Sequence, residues 1–171
     1  MRTHNPTMSA SRGIRTGAVI GTVGGALRAA GSFAPRLIAS DDARTWLYVA
    51  IDICLALGLS SLYLQRRQSM RPTGTLGSFL ALGGLIVGRI APVLTDLDLY
   101  PVTAAAVVIG VAMLAFSEWH MRRMAAWIPS AFALSLVVGS IGTFAAGASA
   151  LFILSGILFG SAFAAMAITA F

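Results

Sequence analysis

The chain has 171 residues, 57% apolar and 11% charged, with a formal net charge of +6 and a mean hydropathy of +0.85. A water-soluble domain carries about 45–50% apolar and about 25% charged residues, so this composition excludes an ordinary soluble fold and points to lipid. The basic residues are all arginine and lie between apolar runs, not in a basic stripe with interleaved aromatics, which speaks against nucleic acid as a partner.

Apolar runs between charged punctuation predict six spans, at 14–38, 46–64, 76–94, 100–116, 124–146 and 148–171. Each approaches the roughly 20 residues needed to cross a hydrocarbon core of about 30 Å. Residues 1–13 then form a cytoplasmic N-terminal tail, and 14–171 a single all-α domain, a polytopic transmembrane helical bundle. A cleaved leader competes for the first span, with Arg12 and Arg15 as its basic region. Arg28 follows the apolar core at once and no small-x-small site follows it, so the segment reads as retained. The last two spans are divided only by Gly147, Ala148 and Ser149, where a turn must fall.

Along the chain, the connections alternate in charge. Arg2, Arg12 and Arg15, then Arg66, Arg67 and Arg71, then Arg122 and Arg123 fall on one side; Asp41, Asp42, Arg44, Asp96 and Asp98 fall on the other. Arginine near short-loop helix ends stays cytoplasmic, so both termini are expected inside. Trp46, Tyr48 and Tyr100 fall at outer ends, and Tyr63, Trp119 and Trp127 at inner ends, the interfacial depths these rings favour. Pro101 and Pro129 lie in first helical turns, where a missing N–H costs least. Arginine without lysine, together with abundant Ala and Gly, points to a GC-rich bacterial genome and hence to the bacterial cytoplasmic (inner) membrane.

The sequence 30–35, Ala-Gly-Ser-Phe-Ala-Pro, echoes 87–92, Val-Gly-Arg-Ile-Ala-Pro, and 138–141, Val-Gly-Ser-Ile. These matches predict three pseudo-repeated helix hairpins of the same orientation. Small residues recur every four positions at Gly17, Gly21, Gly25 and Ala29, at Gly84 and Gly88, at Ala131, Ser135 and Gly139, and at Gly156, Gly160 and Ala164. GxxxG-type faces of this kind let helix backbones approach closely, within the chain or across a homo-oligomer.

Three ionisable residues fall inside the spans: Arg28, Asp52 and Arg89. Each costs about 2.5–3.5 kcal/mol at a helix centre, so exposure to lipid without a partner is disfavoured. Arg28 and Asp52 lie at equal distances from the turn near Ser40, which predicts an Arg28–Asp52 ion pair, with Arg89 sharing the carboxylate or snorkelling outward. One carboxylate against two guanidinium groups leaves a positive surplus suited to an anionic ligand or a lipid headgroup, and Thr103 and Ser140 are candidate polar neighbours. Glu118 and Arg122, four apart, read as a surface pair.

No catalytic set emerges. Residues 153–156, Ile-Leu-Ser-Gly, lack the first Gly of a Gly-x-Ser-Gly nucleophile motif, and no His lies within a span to serve as base. The single Cys54, with His4 and His120 outside the spans, offers no metal site, and no cofactor is implied.

Gly24-Gly25-x-x-Arg28, Phe33-Ala34-Pro35, Ile51-Asp52 and the closing 153–160 together resemble a group of small bacterial six-helix integral membrane proteins without an assigned activity. That resemblance implies six helices and no particular chemistry. The sequence therefore supports a non-enzymatic binding, sensory or accessory membrane protein. Its alternative is a small-solute or ion transporter or channel subunit using the Arg28/Asp52/Arg89 site.

Overall fold

A computed structural model describes residues 6–94, 99–144 and 149–169, with side chains from Arg15 onward apart from Val93 and Phe144. Arg2, His4, Asp96, Asp98 and the turn expected at 147–149, except Ser149, lie outside the described residues. Those described are helical throughout apart from short connections: α1 (Pro6–Gly31), α2 (Ala34–Leu37), α3 (Asp41–Arg66), α4 (Pro72–Leu94), α5 (Tyr100–His120), α6 (Trp127–Phe144) and α7 (Ser149–Thr169). Four of them, α3, α4, α5 and α7, are long and apolar enough to cross a membrane. Helix α6 is apolar but shorter. Helix α1 is long, but its glycines and arginines keep its hydropathy low.

The six long helices stand in a ring in chain order, closed by α7 packing on α1. Within it, α1 lies against α3, α4 against α5 and α6 against α7, while the α3–α4 seam is the sparsest. The interior is filled by Ile51, Leu55 and Leu59 from α3, Leu114 from α5, Ile128 and Phe132 from α6, and Phe159 and Phe163 from α7. Phe159 meets Phe132 edge-on with ring centroids 5.4 Å apart.

The first expected span is not one helix. Pro35 has no N–H to donate to the Gly31 carbonyl, and α1 stops at Gly31. The Tyr48 hydroxyl donates to that carbonyl instead, at 3.2 Å. Two residues later the chain resumes as the single turn α2. At the other end α1 begins at Pro6, so residues 6–13, expected as tail, belong to the helix. Helix α3 starts cleanly: Ser40 Oγ accepts from the Ala43 N–H at 3.3 Å, and Asp41 and Asp42 place negative charge in the first turn.

Close approaches between helices fall on small residues. A Cβ on Gly160 would lie 2.5 Å from the Ala29 nitrogen and the Gly25 oxygen, and one on Gly58 2.5 Å from the Gly21 Cα. Gly17 stands against Ser61, Gly84 and Gly88 against Thr103, and Gly156 against Ser32. The expected single stripe on α1 turns out to wind. Steps of four residues advance about 40° round a helix of 3.6 residues per turn. Gly17 therefore faces α3, Gly21 meets both α3 and α7, and Gly25 faces α7. Within one chain, these glycine faces are taken up by neighbouring helices.

Candidate functional site: the aspartate–arginine pair between α3 and α4

Helix α3 presents Ile51, Cys54–Leu55, Gly58 and Ser61 to α1. Asp52 is one residue, about 100° of helical rotation, beyond Ile51 and therefore off that seam. Its carboxylate is carried toward α4. Arg89 is likewise one residue past Gly88, which faces Thr103 of α5. The two side chains meet across the α3–α4 seam: Arg89 Nε donates to Asp52 Oδ2 at 2.6 Å and Nη2 lies 2.5 Å from the same oxygen. Neither is buried; the side chains are 40% and 27% exposed for Arg89 and Asp52.

The expected Arg28–Asp52 pair does not form. Arg28 has the right depth, since it lies on α1 between Gly24, set against Cys54 and Leu55, and Gly31, set against Ile51. The carboxylate points to the other flank of α3. Half-buried, Arg28 bonds no described residue through its guanidinium. Depth was legible from residue counting; azimuth required the register of α3 on α1.

The two candidate polar neighbours stand apart from the pair. Thr103 is 7% exposed, and its hydroxyl donates within its own helix, to Leu99 at 3.0 Å and Tyr100 at 3.1 Å. Ser140 is exposed on α6. Two shallow apolar grooves lie on the outside of the ring. One is lined by Ala18, Val19, Thr22, Val23, Ala167 and Ile168, the other by Thr73, Ala112, Met113, Phe116, Pro129 and Ala133. Neither reaches Asp52.

Two polar features were missed by the sequence reading. Ser135 and Ser155 clasp α6 to α7 reciprocally, each hydroxyl donating to the other's carbonyl at 2.9 and 2.8 Å, with the oxygens 3.1 Å apart. Glu118, read as half of a surface pair, is 2% exposed. It forms no ion pair with Arg122, because α5 ends there: Arg122 takes a positive φ of 57° and carries the chain away. The hydrogen bonds Arg123 N–H to Glu118 O at 3.0 Å and Arg122 N–H to Trp119 O at 2.8 Å close the helix in a Schellman motif. The signal for Glu118 lay in spacing, since Val111, Leu114, Ala115 and Glu118 share one helix face.

No protein-family model matches this chain, and comparison with curated proteins and with solved structures returns no match either, so the likeness to small six-helix membrane proteins rests on the sequence motifs alone.

Proposed function

We propose that the chain is a six-span protein of the bacterial cytoplasmic membrane that binds or senses, and neither conducts nor catalyses. The observation that carries this reading is the filled centre of the ring. Ile51, Leu59, Leu114, Ile128, Phe132 and Phe163 are each under 2% exposed, whereas a conduction path needs polar groups or water along its length. The Asp52–Arg89 pair sits on the exposed flank of a seam, outside that centre.

Several features support lipid around all six long helices. Leu37, Trp46, Leu94 and Ile168 are 79%, 73%, 74% and 65% exposed, a surface that water does not tolerate in quantity. Helix α6, with 18 residues, is about 27 Å long at 1.5 Å per residue, close to the hydrocarbon thickness. Helix α1 keeps register with α3 from Gly17 to Gly31. Arg66, Arg67, Arg71, Arg122 and Arg123 gather at one end and Asp41 and Asp42 at the other, which supports cytoplasmic termini.

The three-hairpin reading has support in matched positions. Leu55, Gly58, Leu59 and Leu62 of α3 are buried at the spacing of Val111, Leu114, Ala115 and Glu118 of α5, and of Phe159, Ala162, Phe163 and Met166 of α7. Gly17 against Ser61 in the first hairpin corresponds to Gly74 against Ser117 in the second. In this scheme Arg28, level with Asp52 but outside its bonds, is the residue placed to take an anionic lipid headgroup.

The test is flux. Purified protein in liposomes is expected to pass protons, sodium and potassium no faster than protein-free vesicles. Flux abolished by Asp52→Asn would favour the transporter.

A further inference from the structure

Charge at the arginine-bearing end is divided unevenly between interior and surface. Glu118 is 2% exposed, and the Arg66 Nε at the same end is buried as well. Arg123 is half-buried, and its Nη1 donates to Ser69 Oγ at 3.0 Å. Of the other acidic residues, Asp41 and Asp42 open α3 at the opposite end and Asp52 pairs with Arg89; Asp96 and Asp98 lie outside the described residues. Among those described, the surface of this end is therefore cationic. Arg67, Arg71 and Arg122 are exposed, and no ion pair or side-chain hydrogen bond joins them to a described residue.

Two of these arginines stand at the head of the outer groove that runs from Thr73 to Ala133. Arg71 lies two residues before Thr73, and Arg122 two residues past the end of α5. Thr73 and Pro129 belong to the first turns of α4 and α6, so the groove opens at the arginine end. From there it descends one turn, Phe116 to Ala112 and Pro129 to Ala133, about 6 Å at 1.5 Å per residue. Trp119 and Trp127, 39% and 53% exposed, mark the same end, and indole rings favour the depth of lipid headgroups. Trp119 tilts against Phe116 of the groove, with ring centroids 5.3 Å apart.

Guanidinium groups above an apolar channel match an amphiphile with an anionic head and an acyl tail. We propose that the α4–α5–α6 face holds one anionic phospholipid. Its phosphate sits between Arg71 and Arg122, and the first methylenes of a chain lie in the groove. Charge complementarity sets the occupant: a zwitterionic lipid fills the groove equally well but brings an ammonium group to the two arginines. This lipid is distinct from the headgroup assigned to Arg28, which lies in the other half of the bundle. The inference rests on the reading of the chain as a binding membrane protein. Vesicle flux tests that reading and lipid preference in detergent tests the site, so the two fail separately.

Full-length protein in a mild detergent is titrated with phosphatidylglycerol or with phosphatidylcholine of the same acyl chains, and its melting temperature is followed. A lipid that binds the folded state raises that temperature as its mole fraction grows. The half-maximal rise is expected at a mole fraction at least about tenfold lower for phosphatidylglycerol. Arg71→Gln and Arg122→Gly should each weaken the preference by about fivefold. Arg122→Gly also relieves a left-handed backbone, so misfolding does not account for its effect. Arg15→Gln makes the same charge change on α1, across the ring from α5, and is expected to leave the preference intact. Glycerol phosphate, which has no chains, is expected not to compete. Equal responses to the two lipids would overturn the site, as would an unchanged preference in Arg71→Gln and Arg122→Gly. An equal loss in Arg15→Gln would reduce the effect to net charge and overturn it too, and competition by glycerol phosphate would overturn the role of the groove.

Discussion

Arg89 on α4 grips a single oxygen of Asp52 on α3, with Nε and Nη2 both directed at Oδ2. With the Tyr63–Phe79 ring contact, 5.4 Å between centroids at 61°, it ties the sparsest seam of the ring at two heights. Removing one partner leaves an unpaired charge at a depth where hydration is poor. In a double-mutant cycle, Asp52→Asn and Arg89→Gln are expected to couple by about 1–2 kcal/mol. Asp52→Asn and Arg28→Gln should add within about 0.5 kcal/mol. Unfolding from mixed micelles measures both.

Glycines should divide sharply by what surrounds them. At Gly160 a Cβ would meet the backbone of α1 at 2.5 Å, while at Gly83 nothing lies within 4 Å. Gly160→Leu is therefore expected to cost more than about 3 kcal/mol or to prevent folding, because the obstacle is backbone. Gly83→Ala should be neutral or stabilising by up to about 1 kcal/mol, from helix propensity alone. Melting temperatures in one detergent rank the two.

Arg122 occupies the left-handed C′ position of the Schellman motif that ends α5, at φ 57°. A side chain there costs about 1–2 kcal/mol relative to glycine. Arg122→Gly is expected to raise stability by about 1 kcal/mol, while Arg122→Val lowers it. Thermal denaturation of the two variants checks the sign.

The Ser135–Ser155 clasp replaces backbone polar groups' missing solvent with two reciprocal bonds. Hydroxyl pairs between membrane helices are worth about 0.6 kcal/mol on average and up to about 1.7. Each alanine variant alone should cost about 1 kcal/mol, and the double variant less than their sum. Additive losses would show that the two serines act independently.

Sequence reading reached the helices because their signal is composition over long windows, as at 76–94 and 100–116, which lie within α4 and α5. It placed Arg28 level with Asp52 by counting residues from the turn near Ser40. It failed where one residue of rotation decides the partner. Asp52 is a single position past the α1 seam, and that step exchanges Arg28 for Arg89. Pro35 and Pro92 each follow a glycine by four residues, yet the helix breaks at the first and runs through the second to Leu94. Tyr48, which takes over the Gly31 carbonyl, comes from the next helix and is invisible to local pattern. Glu118 was misplaced because the i,i+4 spacing to Arg122 suggested a continuing helix where the chain turns left-handed.

The interior of the ring is filled by apolar side chains, and the reactivity of single cysteines reports whether water enters it. In a Cys54→Ala background, Leu55→Cys, Leu59→Cys and Phe163→Cys are placed in the centre, with Arg44→Cys and Arg67→Cys as markers of the two ends. In sealed vesicles, a membrane-impermeant maleimide is predicted to label Arg44→Cys and Arg67→Cys from opposite sides and to leave the three central positions unmodified until the protein is denatured. Labelling of Leu59→Cys or Phe163→Cys in the folded protein would contradict the account, since it requires a water-filled path through the ring.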